Sequence, residues 1–476
     1  MSANSAVVAV DVGTSAVRAA LVDADAGVVR SVRVARASSV GGEVFDALAL
    51  LAEVEQALAE LDAVGGAHTV AALAISAHIG TVPVDDLLAP VAPGGGWADT
   101  RGVTLLGGVA KNELEDLLAA AGRPTVMGGA LAVALDLRAS GLASRVSSLL
   151  SPKDFLVARL TGRLVTDTIN AAYTLASDVR RLEWQARALD LFDVPANWFP
   201  PQAASQEVAA TLLPDAAARC RLPAGLPVVA GGPDGSVGIG FLLGATQGAI
   251  ADVAGTTDVV GRLVSDVEGI PAGAVANPAL VPGRWTAGGA TGMTGGAVAN
   301  WRLLVGAVSD AALAAVEPGS RGLRVIPTMS GERFPRWRAD TRGAVLGRTP
   351  DHGAPELLRA TQEGATFVVR EGVDLLDPGR EMPLIFAGGS ARSMHVAHLR
   401  AAALGRTVRV ASDPDVTLLG AAGLALVGVG LAGDLDDARE RLGVTFHDVE
   451  PDAISVARYD AVFAEWLDAR RAATSR

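Results

Sequence analysis

Two short stretches of this chain set an aspartate, a glycine and hydroxyl residues between β-rich apolar runs. Near the N-terminus the order is Val10-Asp11-Val12-Gly13-Thr14-Ser15-Ala16-Val17-Arg18. Near the middle it is Ala251-Asp252-Val253-Ala254-Gly255-Thr256-Thr257-Asp258. Each reads as a β-hairpin with a Gly-hydroxyl tip. Such a tip can turn several backbone N–H groups toward an anion, with hydroxyls adding donors, while an Asp can hold a hydrated cation. Either copy alone is also what an ordinary polar turn looks like. The pair, one in each half, points to two grips on one phosphate chain.

A third candidate, Gly231-Gly232-Pro233-Asp234-Gly235, follows the apolar run Leu226–Ala230. A carboxylate at a strand's end suits a fixed general base, worth roughly 10²–10⁴-fold in rate. In isolation it is equally an Asp-Gly turn. Gly388-Gly389-Ser390-Ala391-Arg392-Ser393 and Gly295-Gly296 with Asn300 and Trp301 are glycine turns where a flat ligand could approach the backbone closely. Trp97-Ala98-Asp99-Thr100-Arg101 offers an apolar face and two charges that could bind hydroxyls or pair with each other.

Composition limits the readings. The 476 residues are 50% hydrophobic and 19% charged, ample for a large core and unlike a disordered chain. The formal net charge of -12 argues against nucleic acid or an anionic membrane as partner. Cys220 is the only cysteine, so no intrachain disulfide or Cys-based zinc cluster is available, which fits a reducing compartment. The first residues enter a strand pattern without a basic or cleavable leader. Apolar runs such as Leu418 to Val429 are too short and Gly/Ala-rich to span a bilayer. A cytoplasmic location is expected.

The elements that must position these residues alternate. Strands are predicted at Ala6–Asp11, Ala16–Val22, Val28–Ala35 and Val70–Ser76, with a helix from about Val44 to Leu61. Residues 101–150 read as mostly helical, as do Pro152–Leu160, Ala297–Val308, Pro355–Leu376, Met394–Leu404 and Asp452–Arg471. Further strands are predicted at Val228–Ala230, within Ala249–Val264 as a hairpin, and at Pro383–Ala387. Hairpins followed by alternating helices and strands predict an α/β fold with mixed sheets covered by helices. The Gly-rich stretch Phe241–Gln247 marks a boundary, giving domains 1–242 and 243–476.

In this order the motifs resemble the FGGY carbohydrate kinase family of the actin-like ATPase superfamily, over nearly the whole chain, and xylulokinase-like members match its length best. The resemblance implies two ribonuclease-H-like actin-type ATPase domains flanking an interdomain cleft that holds ATP and a sugar. It implies that Asp11 orients Mg2+ through water and that Gly13, Thr14, Ser15 and Arg18 face the terminal phosphates. Gly255, Thr256 and Thr257 match the second phosphate motif. Asp234 corresponds to the base that takes the proton of the attacking sugar hydroxyl. Gly388, Gly389 and Ser393 match the adenosine motif, with Gly296 and Asn300 covering the nucleotide from the other side. Trp97, Asp99 and Arg101 match a Trp-x-Asp-x-Arg pattern beside the sugar. Glu332-Arg333 matches a signature read as loop bracing, and Gly420-Ala421-Ala422 a small-residue packing motif. Lys153-Asp154 and Asp167 match fold-defining turns, with Asp167 also a minor site candidate.

The departures cluster where sugar specificity would be set. Xylulokinase-like relatives carry Gln-Met-His-Gly after this strand, whereas here the run is Ser76-Ala77-His78-Ile79-Gly80-Thr81. His78 could replace part of that recognition or be structural. Gly235 stands where relatives carry Asn or Gln. The implied function is ATP- and Mg2+-dependent phosphorylation of a small sugar, a ketopentose such as xylulose. Alternatives are ribulose, glycerol or erythritol as acceptor, or a noncatalytic sugar- or nucleotide-binding regulator on the same fold. Family analogy alone suggests a homodimer.

Overall fold

The computed structural model describes residues 4–37, 39–40, 43–64 and 68–474. The chain packs into two compact units. The first comprises Met1–Gly244 with Ala276–Trp285 and Thr417–Gly443; the second comprises Ala245–Val275, Thr286–Val416 and Val444–Arg476. A single cut at residue 242 does not express this, because two later segments return to the first unit.

In the first unit the strands Val208–Thr211, Pro227–Val229, His68–Ala77, Asn4–Val12, Ala16–Asp23 and Gly27–Ala35 lie side by side in that order. Asn4–Val12 runs parallel to His68–Ala77 and antiparallel to Ala16–Asp23, which pairs antiparallel with Gly27–Ala35. The two central strands are buried from Ala6 and from Ala72 onward, so these stretches read as continuous apolar runs rather than alternating ones. Val8, Val10 and Val12 share one hydrophobic core with Leu50, Val54 and Leu58 of the helix Ala47–Leu61.

That helix starts later than its apolar pattern predicts. Val44–Phe45 forms a short strand, and the Asp46 carboxylate accepts from the N–H groups of Leu48 and Ala49, capping the first turn. Between residues 101 and 150 the helical pattern resolves into short helices, Val103–Leu106, Lys111–Ala120 and Ala130–Ala139, before the strand Ser148–Leu150.

The second unit repeats the grammar within its own sheet. Asp258–Val264, Ile250–Ala254, Leu384–Ala387, Val408–Ala411 and Phe446–Val449 are consecutive neighbours. Again a hairpin strand, Ile250–Ala254, pairs antiparallel with its successor and parallel with a strand from far along the chain. The helices Ala354–Leu376, Met394–Leu404 and Ala453–Thr474 join through Phe367, Leu399, Tyr459 and Trp466. Among the described residues no helix is long and apolar enough to cross a membrane.

Candidate active site

Sheet register assembles the first cluster. Arg18 is the Cα partner of Asp11, Asp11 is the partner of Ser76, and Ser76 is the partner of Gly232. This row crosses the sheet near the end of the Asn4–Val12 strand, and Asp234 begins the helix Asp234–Leu243 just beyond it. Asp11 is buried, and its Oδ2 accepts from Arg18 Nε at 3.1 Å and from Arg18 Nη2. Asp234 is half-buried, and its Oδ1 accepts from the Gly235 N–H at 2.7 Å. Desolvation pushes the Asp234 carboxyl up to about 7, with the Asp11 charge adding to the rise. The Gly235 N–H and the Arg18 charge act in the opposite direction without cancelling it.

The backbone leading to Asp234 is tightly held. Gly231 has a φ of 72°, and a Cβ there would lie 2.0 Å from the Ile75 carbonyl oxygen, so only glycine fits. The preceding carbonyl, that of Ala230, accepts from the buried Lys153 Nζ at 2.7 Å. Lys153 also meets Asp154 at 2.5 Å and Asp167 at 3.1 Å, both buried. Asp167 caps the helix Thr168–Tyr173 by accepting from the Ile169 and Asn170 N–H groups.

The first Gly-hydroxyl turn closes through Gly13 N–H donating to the Ala16 carbonyl at 3.0 Å. Thr14 is half-buried and Ser15 exposed at its tip. Arg36 braces the turn from the side, with Nη1 donating to the Gly13 carbonyl at 2.9 Å and the guanidinium 5.6 Å from the Phe45 ring centre. His78 meets that same ring edge-on, with centroids 5.3 Å apart. It is buried, its Nδ1 lies 3.1 Å from the Ile79 carbonyl, and burial together with the Arg36 charge lowers its pKa to about 4. His78 is thus a neutral ring packed on Phe45, and it is not among the residues that line the cavity beside it.

That cavity is lined by Thr81, Trp97, Asp99, Asn170 and Tyr173, among others. Asp99 and Arg101 pair with each other. Arg101 Nε lies 3.0 Å from both Asp99 oxygens and Nη2 lies 2.7 Å from Oδ2, while the Arg101 N–H also donates to Oδ1. Trp97 and Asp99 therefore share the cavity wall, and Arg101 holds the carboxylate in place.

In the second unit, Ala254 pairs with Asp258, leaving Gly255, Thr256 and Thr257 as the tip. Gly255 and Thr256 are exposed. The Gly296 N–H donates to the Thr256 carbonyl at 2.9 Å, joining the tip to the helix Thr294–Val305. A Cβ on Gly295 would lie 2.1 Å from the Gly255 carbonyl oxygen. Gly388 has a φ of 91°, and a Cβ there would fall within 2.9 Å of three Ala254 backbone atoms. Gly389 is exposed, and Ser393 caps the helix Met394–Leu404 while its Oγ meets Asp310 Oδ2 at 2.5 Å. Asn300 is exposed on its helix.

The two hairpin aspartates are differently employed. Asp11 faces Arg18 of its own hairpin, whereas Asp252 is fully buried against Arg400. Among the described residues no group of three or more His, Cys, Asp or Glu is placed to hold a metal by itself.

Residues 6–240 match the N-terminal domain of the FGGY family of carbohydrate kinases, and residues 251–429 match its C-terminal domain. The chain belongs to this family. The xylulose kinase of Lactococcus lactis subsp. lactis (strain IL1403) is 28% identical over 337 residues, 68% of this chain and 66% of that protein. The xylulose kinase of Escherichia coli (strain K12) is 29% identical over 295 residues, 60% of each chain. The match therefore spans 60% to 66% of the length of these curated relatives. The crystal structure of gluconate kinase from Lactobacillus acidophilus superimposes with a TM-score of 0.87 at 23% identity over 98% of each chain, which establishes a shared fold.

Within this FGGY chain, sequence reading passed over Arg36, Thr294 and Arg400. Arg400 left a signal. Its neighbours at helical spacing, Ala397, Ala403 and Leu404, are all buried, and a guanidinium on such an apolar stripe needs carboxylate partners. Arg36 and Thr294 left none, because their carboxylate partners, Glu53 and Asp258, lie well away from them in the chain.

Proposed function

We propose that the protein is an ATP-dependent carbohydrate kinase that transfers the γ-phosphate of ATP to a hydroxyl of a small neutral sugar, a ketopentose such as xylulose. The observation that carries this reading is the placement of Asp234 beside Asp11, with a carboxyl whose pKa is raised to about 7. A general base works best when its pKa lies near the working pH. Phosphoryl transfer otherwise needs charge neutralisation and in-line positioning rather than covalent help.

In this reading Asp234 accepts the proton of the attacking hydroxyl. Thr14, Ser15 and Arg18 serve the phosphates of ATP, as do the N–H groups and hydroxyls of Gly255, Thr256 and Thr257. Gly388, Gly389, Ser393, Gly296 and Asn300 serve the nucleoside. Asp11 is a single hard oxygen donor, which suits Mg2+ that arrives with phosphates and keeps several waters. Bound there, the ion would offset phosphate charge, and Arg18 would keep the Asp11 carboxylate in one orientation.

The cavity at Trp97 supports this acceptor class. Its indole can cover the carbon skeleton, and Thr81, Asp99 and Asn170 supply hydroxyl, carboxylate and amide partners for sugar hydroxyls. Among the described residues lining it there is no lysine or arginine, which suits a neutral acceptor better than a sugar acid. His78 contributes by holding Phe45 rather than by touching the sugar. Substrate and nucleotide are of the kind found in the cytoplasm.

The test is ADP release with Mg·ATP across pentuloses, hexuloses, pentitols, tetritols, glycerol and gluconate. Turnover on a ketopentose, lost in Asp234→Asn, is the expected result. Turnover on gluconate alone would overturn the acceptor assignment. Sugar binding without any turnover would replace the kinase with a noncatalytic binding protein.

A further inference from the structure

A single buried guanidinium ties together every element of the second unit to which a nucleotide role is assigned above. Arg400 projects from the helix Met394–Leu404, whose first turn is capped by Ser393. Its Nη1 meets Asp252 Oδ2 on one hairpin strand, and its Nη2 meets Asp258 Oδ1 at 2.5 Å on the other. All three side chains are at most 3% exposed. The guanidinium also lies 4.6 Å from the centre of the Phe386 ring, on the strand that runs into Gly388. From its other oxygen Asp258 takes the Thr294 hydroxyl, at the start of the helix that contains Gly296 and Asn300. The Asp258 N–H returns to Thr294 Oγ1 at 3.2 Å.

We propose that Arg400 is a positioning residue that sets the Gly255–Thr257 tip against the Gly388 and Ser393 turn, and so governs nucleotide binding without touching the nucleotide. The proposal rests on the kinase reading above. The geometry explains why a guanidinium is used. Its planar fork reaches two carboxylates on adjacent strands at once, which a lysine's single ammonium cannot do with the same angular control. Asp252 and Asp258 flank the tip on either side, so one residue sets the spacing of both ends of the loop. Thr294 extends the same restraint to the next helix, and the Gly296 N–H to Thr256 carbonyl bond closes the circuit back to the tip.

The cluster also has a defined proton inventory. Burial, joined by the Asp258 charge, holds Asp252 well above the usual carboxylate range despite the Arg400 guanidinium. Among the described residues Asp252 Oδ1 has no hydrogen-bond partner. Removing Arg400 alone would leave two carboxylates buried together and could unfold the unit. The informative variant is therefore the pair Asp258→Asn with Arg400→Gln, which removes the guanidinium together with one of its buried carboxylates and leaves an amide oxygen at 258 to accept from Thr294.

The experiment uses the full-length chain, with folding checked by thermal unfolding. Calorimetry gives Kd for Mg·ADP, and steady-state kinetics give KM for ATP and for the preferred sugar. In the folded double variant, Kd and the KM for ATP should rise on the order of tenfold, as expected when a coupled network of this kind is cut. The KM for sugar should stay within about twofold. Arg400→Lys should recover part of the nucleotide affinity. Equal nucleotide affinity in wild type and folded double variant would overturn the proposal, and so would parallel changes in both KM values. A wild-type protein that binds no nucleotide would instead sink the kinase reading and this proposal with it.

Discussion

The carboxylate of Asp11 raises the proton affinity of Asp234, and the sheet fixes this relationship through Ser76, the Cα partner of both Asp11 and Gly232. A base that titrates near pH 7 must lose its proton before it can accept one from a sugar hydroxyl. The kcat/KM profile should therefore show an acidic limb that falls about tenfold per pH unit below pH ~7. In Asp11→Asn the residual activity should keep that limb but move it to lower pH, because a like charge has been removed. Superimposable limbs in the two proteins would show that another group controls the rate.

Asp234→Asn should trade activity for stability. The folded-state pKa of Asp234 lies above the ordinary carboxylate range, so the folded chain holds this proton more tightly than the unfolded chain does. The stabilisation is complete at low pH and is lost as pH rises through about 7. Asparagine mimics the protonated form at every pH. The variant's advantage in apparent Tm should accordingly be larger at pH 8 than at pH 5, moderated by the partial exposure of the residue. Equal Tm differences at both pH values would contradict the assigned shift.

Gly231→Ala tests the backbone under the proposed base, Asp234. The added methyl meets the Ile75 carbonyl oxygen at 2.0 Å, and φ of 72° is unfavourable for alanine. A loss on the order of 1–3 kcal/mol is expected from the strain alone, with a further drop in kcat as Asp234 shifts. Denaturant titration reads the first effect. An unchanged midpoint would mean that the strand end relaxes freely.

Trp97→Ala should separate the two substrates. Trp97 lines the cavity with Thr81 and Asp99. Losing the indole should raise the KM for sugar by roughly tenfold or more, the scale of a buried aromatic contact. The KM for ATP should hold. A rise confined to ATP would place the sugar elsewhere.

Much of the candidate site is legible in local sequence. Asp11, Gly13 and Thr14 declare themselves because a hairpin tip must use residues that tolerate its backbone, and Asp234 because an apolar strand ends at a glycine pair. The helix start at Ala47 was less legible, since its first apolar residues, Val44 and Phe45, pair as a strand before Asp46 caps the turn. The Trp-x-Asp-x-Arg run admitted both a ligand site and an internal ion pair. The structure makes the pair and leaves Trp97 and Asp99 on the cavity wall. His78 could not be assigned from its own neighbours, because Phe45 and Arg36, which hold it neutral and packed, lie more than 30 residues away in the chain.

Sequence alone determined the repeated hairpin grammar, the α/β class and the family, since these rest on residue types at short spacing. Tertiary structure decided which charges meet. Asp11 and Asp252 hold matching places in matching motifs, yet one faces Arg18 seven residues away and the other Arg400, 148 residues away. Local periodicity shows that a side chain is buried, but its partner is chosen by strand register and helix packing. For Asp252 that choice set a hairpin carboxyl against a buried guanidinium from a distant helix.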